Sequence, residues 1–127
     1  MGVLSLFVLT VLVAFCVHTT SGCDIIVHVK SDTAKKFSAQ VTAPNGKKSE
    51  KWNFSRKREK NTFKQNPDEC GIKDWEITTF ENGKEAHNVK VKLDGIGRVT
   101  YFVGDDLIPK QHDRQGAQCT GECAPLA

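Results

Sequence analysis

Cysteine carries the first candidate chemistry in this sequence. The chain has five, Cys16, Cys23, Cys70, Cys119 and Cys123, and Cys16 lies in an uncharged apolar leader. Setting that leader aside leaves four, an even number that in a small exported chain reads as a framework of two disulfides with three pairings open. Zinc is the competing chemistry, since His28, His87 or His112 could join thiolates around a metal. No C-x2-C pair occurs, however, and Cys119 and Cys123 supply the only close spacing. Disulfides at Cys23, Cys70, Cys119 and Cys123 are therefore expected, with no metal and no cofactor. A bridge from the first strand to the tail would close a long loop and stabilise the fold by roughly 3–5 kcal/mol.

Charge marks a second candidate region. Between Lys47 and Lys64 there are eight basic residues against two acidic ones, so the overall net charge of +3 divides into +6 there and −3 elsewhere. Its centre is Arg56-Lys57-Arg58-Glu59-Lys60. A basic cluster of this density after an aromatic strand attracts sulfated glycans, anionic headgroups or an acidic protein face. Trp52, Arg56, Lys57, Arg58 and Lys60 are the binding candidates. The plainer reading is a solvated lysine-rich loop that keeps an edge strand from pairing. Nucleic acid is a poor partner for an exported domain with a pI near 8.6. Asp94, Asp105 and Asp106 lie at strand ends where calcium could find oxygen ligands, although Asp-Gly and Gly-Asp-Asp are also ordinary turn chemistry. Asn53-Phe54-Ser55 is an N-glycosylation sequon.

Enzyme signatures are missing: there is no G-x-S-x-G elbow, H-E-x-x-H helix, P-loop or G-x-G-x-x-G turn. Bridged cysteines are not nucleophiles, and scattered histidines and serines do not define a triad. No catalytic residue is expected.

The elements that must position these groups follow from hydropathy. Leu4 to Val17 is a fourteen-residue apolar run, and Met1 to Gly22 contains no charged side chain. The run is shorter than the roughly 20 residues of a bilayer-spanning helix and matches a signal segment, cut ahead of Cys23. Residues 1–22 are thus expected to be a signal peptide and 23–127 a secreted domain, extracellular and without a stable membrane anchor. In that domain the dominant period is two. Ile25, Val27 and Val29 alternate with Ile26, His28 and Lys30; Phe37, Ala39, Val41 and Ala43 alternate with polar residues. Pro44-Asn45-Gly46-Lys47 signals a turn, and Trp52 and Phe54 then face one way with Asn53 toward solvent. A polar bridge from Arg56 to Glu69 is interrupted only by Phe63. Trp75, Ile77 and Thr79 pair through a turn at Glu81–Lys84 with Val89, Val91 and Leu93, and Val99, Tyr101 and Val103 form a last strand before a mostly polar tail. A helical turn fits only within Lys30–Ala39. Six or seven short strands predict one all-β domain, an antiparallel β-sandwich or small barrel stapled by disulfides.

The stretches CDIIVHVKSDTAKKFSAQVTAPNGKKSEKW, CGIKDWEI and GIGRVTYFVGDDLIPKQHDRQGAQC resemble small secreted nematode proteins of the excretory–secretory type, hookworm members among them. The resemblance runs from Cys23 to about Cys119 and implies a nematode origin and, for a parasitic source, exposure to host tissue or immune components, with no catalytic residues to carry over. A terminal Cys23 also resembles the reactive end of tissue inhibitors of metalloproteinases, which present such an amine and carbonyl to a catalytic zinc. Those inhibitors begin Cys-x-Cys, whereas this chain reads Cys23-Asp24-Ile25. The expectation is a secreted, non-enzymatic binding module for an extracellular or host protein or a sulfated glycan, with metalloproteinase inhibition through Cys23 as the alternative.

Overall fold

The computed structural model describes residues 23–66, 70–121 and 123–126. The expected leader, residues 1–22, lies outside them. Ten strands run in chain order: β1 Asp24–Ser31, β2 Phe37–Thr42, β3 Trp52–Phe54, β4 Lys60–Lys64, β5 Trp75–Glu81, β6 Lys84–Val91, β7 Leu93–Asp94, β8 Ile96–Val103, β9 Pro109–Gln115 and β10 Gln118–Cys119. Among the described residues there is no helix, so Lys30–Ala39 holds a bend between β1 and β2 instead of a helical turn.

Two open four-stranded sheets form a sandwich, ordered β4-β1-β8-β9 and β3-β2-β5-β6, and β10 pairs with β7 in a small ribbon. Every pairing between strands is antiparallel except that of β1 with β8, which runs parallel from Asp24↔Ile96 to Ser31↔Val103. The period-two pattern explains the core. Ile25, Val27 and Val29 of β1, Phe63 of β4 and Val99, Tyr101 and Val103 of β8 are buried against Phe37, Ala39 and Val41 of β2, Phe54 of β3, Trp75 and Ile77 of β5 and Val91 of β6. Phe63 and Trp75 meet edge to face across the sandwich with centroids 5.8 Å apart, a favoured aromatic geometry. Within one sheet, Phe37 stacks on its cross-strand partner Phe54.

Turn chemistry falls where the sequence places it. Asn82 and Gly83 both adopt positive φ, 54° and 79°, between β5 and β6, as a tight hairpin turn requires. Gly97 is a different case, because a Cβ there would lie 2.1 Å from the Ala117 backbone nitrogen. The bare backbone lets the chain after β9 lie close against the start of β8.

Two segments depart from expectation. The polar bridge contains β4, and the polar tail contains β9. Both are edge strands, and each buries only one apolar residue of its own, Phe63 and Pro109 respectively. A strand with one inward anchor has no visible alternation.

The disulfides join Cys23 to Cys70 and Cys119 to Cys123. The first strand is therefore stapled to the segment before β5, not to the tail, which closes on itself. Chain entropy gives the longer loop about 4 kcal/mol and the short one about 2 kcal/mol.

Tyr101 provides a test of the core. Its ring is fully buried, and its hydroxyl has no hydrogen-bond partner among the described residues. Burial pushes the phenol well above its ordinary value of 10.0, opposed weakly by Arg114. A raised folded-state value means that stability is whole below about pH 10 and is lost as pH rises beyond it. Because Tyr101 is the only tyrosine, tyrosinate absorbance should appear together with unfolding in an alkaline titration. Tyr101→Phe should be neutral or stabilising by about 1 kcal/mol in denaturant melts, since an unpaired buried hydroxyl is removed.

Candidate anion-binding site

The basic loop joins the two sheets. β3 is an edge of one and β4 an edge of the other, so residues 55–59 cross one end of the sandwich. Local sequence fixes the crossing. The Glu59 carboxylate accepts hydrogen bonds from the Ser55 and Arg56 amides, each at 2.9 Å, and from the Ser55 hydroxyl at 3.1 Å. These bonds, led by the Ser55 amide, hold Glu59 below the usual carboxylate range, with a smaller contribution from the Arg56 charge. Arg58 turns through a positive φ of 71°. Its amide donates to the Ser31 carbonyl, and the Ser31 amide donates to the Glu59 carbonyl, both at 2.8 Å. The loop is thereby laced to the end of β1.

Arg56, Lys57 and Arg58 project into water from this frame; the Arg56 side chain is 84% exposed and lies 3.8 Å from Glu59. Lys60 opens β4 directly opposite Lys30 of β1. Like charges placed opposite each other repel, so nothing within this pair neutralises the local field. Trp52 does not join them. Its register partner is Ala39, which puts the indole on the inner side of β3, half-buried against the core. The basic loop and Lys60 are the exposed part of the candidate set.

The sequence motifs outside this cluster resolve into separate roles. Asn53 is exposed on the outer face of the other sheet, where its side-chain oxygen accepts from the Ser38 hydroxyl at 2.7 Å. The three aspartates do not converge. Asp94 accepts from Thr120, Asp105 from buried Thr33, and Asp106 pairs with Lys110 at 3.0 Å. Among the described residues no group of His, Cys, Asp or Glu could hold a metal ion. Cys23 is held in its disulfide, with its backbone nitrogen 2.7 Å from the Cys70 sulfur.

The structure adds residues that the linear sequence scatters. His28, Lys30, Lys64 and Arg98 share the outward face of sheet β4-β1-β8-β9 with Lys60. Their alternation within β1 and β8 is visible in sequence, but their proximity depends on the parallel β1–β8 pairing. His28 bonds Thr62 at 2.8 Å, and its imidazole is held below the usual value by partial burial, then by the charges of Lys60 and Arg98.

No family model and no curated protein matches the chain. Solved structures with some likeness are the human-specific toxin intermedilysin, at 8% identity with a TM-score of 0.34 over 75% of this chain and 24% of that one; pneumolysin, at 8% and 0.35 over 73% and 23%; and listeriolysin O, at 12% and 0.29 over 73% and 22%. The chain thus spans about a quarter of the length of each of those proteins, and similarity at this level carries no functional conclusion.

Glu59 gives the site its test. Glu59→Ala should speed hydrogen exchange at the Ser55 and Arg56 amides while the amides of β1 and β8 stay protected. Acidification should lower the protection of the same two amides relative to their intrinsic exchange rates: a depressed carboxylate stabilises the loop above its unfolded value and loses that effect as pH falls through the depressed one. Unchanged exchange in Glu59→Ala would remove the carboxylate as the loop's organiser.

Proposed function

We propose that this chain is an exported, non-enzymatic binding module whose basic loop engages a polyanionic extracellular partner, a sulfated glycan or an acidic host protein face. The single observation that carries this reading is the exposed Arg56-Lys57-Arg58 group on a loop already fixed by Glu59 and β1. A prefixed cationic surface loses little conformational entropy on binding, which favours recognition over mere solvation. Two disulfides support an oxidising compartment. The exposed Asn53, on the outer face of sheet β3-β2-β5-β6, supports a glycan that leaves the other sheet uncovered. For a parasitic source, the nematode resemblance supports host tissue as the setting.

Retention on immobilised heparin should fall steeply with salt, and Arg56/Lys57/Arg58→Ala should lower affinity at least tenfold at physiological ionic strength. Salt-independent retention, or full affinity in the triple variant, contradicts the reading.

The Cys23–Cys70 bridge also favours a second reading, because it holds the segment at Cys23 rigidly, as metalloproteinase inhibition through that residue demands. Intact mass and N-terminal sequencing of the exported protein address both readings. The expected result is a chain beginning at Cys23 with two disulfides and a mass increment removable by an N-glycosidase. A different first residue eliminates inhibition through a Cys23 amine, and an unprocessed reduced chain contradicts export.

A further inference from the structure

Resting on the polyanion reading above, we propose that the site extends beyond the loop onto the outward face of sheet β4-β1-β8-β9, which takes one linear sulfated polysaccharide lying along β1, with His28 at the middle of its track.

Register defines the track. Lys60, Lys30 and Phe102 form one cross-strand row, and Lys64, Ile26 and Arg98 form another. Between them lies the row Thr62, His28 and Thr100. Alternate residues of a strand stand about 6.8 Å apart, so the two cationic rows are separated by about 14 Å with His28 midway. The loop carrying Arg56, Lys57 and Arg58 adjoins the Lys30 end, because Ser31 is hydrogen-bonded to it. A polymer running with β1 therefore meets cations at the loop, at Lys30 and Lys60, and again at Lys64 and Arg98.

Several side chains are already placed for such a ligand. Arg98 is held by the Gln115 side chain, its Nε and Nη2 both donating to Oε1 at 3.1 and 2.6 Å. Beside it is a recess of about 410 Å3 lined by Asp24, Ile26, Ile96, Gly97 and Arg98 among others, a largely apolar seat for a sugar ring with one guanidinium and one carboxylate in its lining. Lys30 lies over the Phe102 ring at 5.6 Å, and that ring stacks on His112 at 4.0 Å. The carboxylates facing this surface are Asp24 on β1 and Asp113 on β9, while Lys110 of β9 is already paired with Asp106.

A regularly charged, extended polymer fits this pattern. Sulfate esters stay ionised across the physiological range, so any pH dependence near neutrality must come from the protein. Burial, Lys60 and Arg98 all disfavour a charged His28 on the bare face. Sulfates lying against those two cations would offset their repulsion and favour the imidazolium. By linkage, affinity must then rise as pH falls through the histidine range.

The experiment measures affinity for a heparin dodecasaccharide, in parallel with a single-stranded oligonucleotide of matched charge. Lys30/Lys64/Arg98→Ala should lower heparin affinity at least tenfold and flatten its salt dependence, with the thermal transition unchanged. Lys84/Lys90/Lys92→Ala removes the same charge elsewhere and should leave affinity within about twofold. Wild type should bind about five- to tenfold tighter near pH 5.5 than near pH 7.5; His28→Asn should lose that dependence and His112→Asn keep it. Full affinity in Lys30/Lys64/Arg98→Ala with loss in the loop variant would confine the site to the loop, overturning this inference and preserving the reading beneath it. Equal losses in the two lysine-rich triples would reduce the effect to net charge and overturn it as well. Tighter binding of the oligonucleotide would replace the polysaccharide as ligand. Failure of wild type to bind either polyanion would end both proposals.

Discussion

The parallel pairing of β1 with β8 is the constraint on which the rest depends. β1 is the interior strand that gives three consecutive inward residues, Ile25, Val27 and Val29, to the core, and β8 answers with Val99, Tyr101 and Val103. An antiparallel neighbour can follow after a short turn, but a parallel partner must return from the other end of the sheet. Here the return is the whole of the opposite sheet: β2, β3, β5 and β6 form between β1 and β8, with β4 passing back to pair with β1 on its other side. The core therefore closes only when the first and eighth strands meet. The Cys23–Cys70 bridge staples the start of β1 to the chain entering β5 and limits the unfolded ensemble that must find this pairing.

The same pairing arranges charge. A basic loop alone would be a short solvated patch. β1 ties that loop down through Ser31, and its outward residues carry the positive field toward Arg98 on β8. Under the proposed reading Lys60 and Lys64 serve two ends at once. They lie on the exposed edge strand β4, where lysines discourage pairing with another chain, and they stand opposite Lys30 and Ile26 in register. Protection of an edge and recognition of an anion are compatible uses of one row of side chains.

Much of this architecture was legible in the residues. The alternating apolar rows of β1, β2, β5 and β8 located the core, Pro44-Asn45-Gly46 and Asn82-Gly83 located turns, and the cysteine count anticipated two bridges. Edge strands β4 and β9 were not legible, because they contain almost no inward apolar residues and a hydropathy period cannot register in them. Nor was the pairing of Cys23 with Cys70, which depends on which strand ends meet in space. The candidate site was half visible: Arg56, Lys57, Arg58 and Lys60 are consecutive enough to stand out, whereas His28, Lys30 and Arg98 become neighbours only through strand order. Trp52 stands apart from the loop for a related reason. Its aromatic character suggested contact with a ligand, while its register with Ala39 turns it toward the core.

A backbone amide shift map of the folded, oxidised protein titrated with a heparin dodecasaccharide locates the ligand on the surface. Perturbations are expected to concentrate at residues 56–60, at His28 and Lys30 of β1 and at Arg98 of β8, forming one band across sheet β4-β1-β8-β9, with the outer face of sheet β3-β2-β5-β6 undisturbed. Perturbations centred on Gln40, Thr78 and Asn88 of the other sheet, or scattered evenly over all lysines, would contradict that placement.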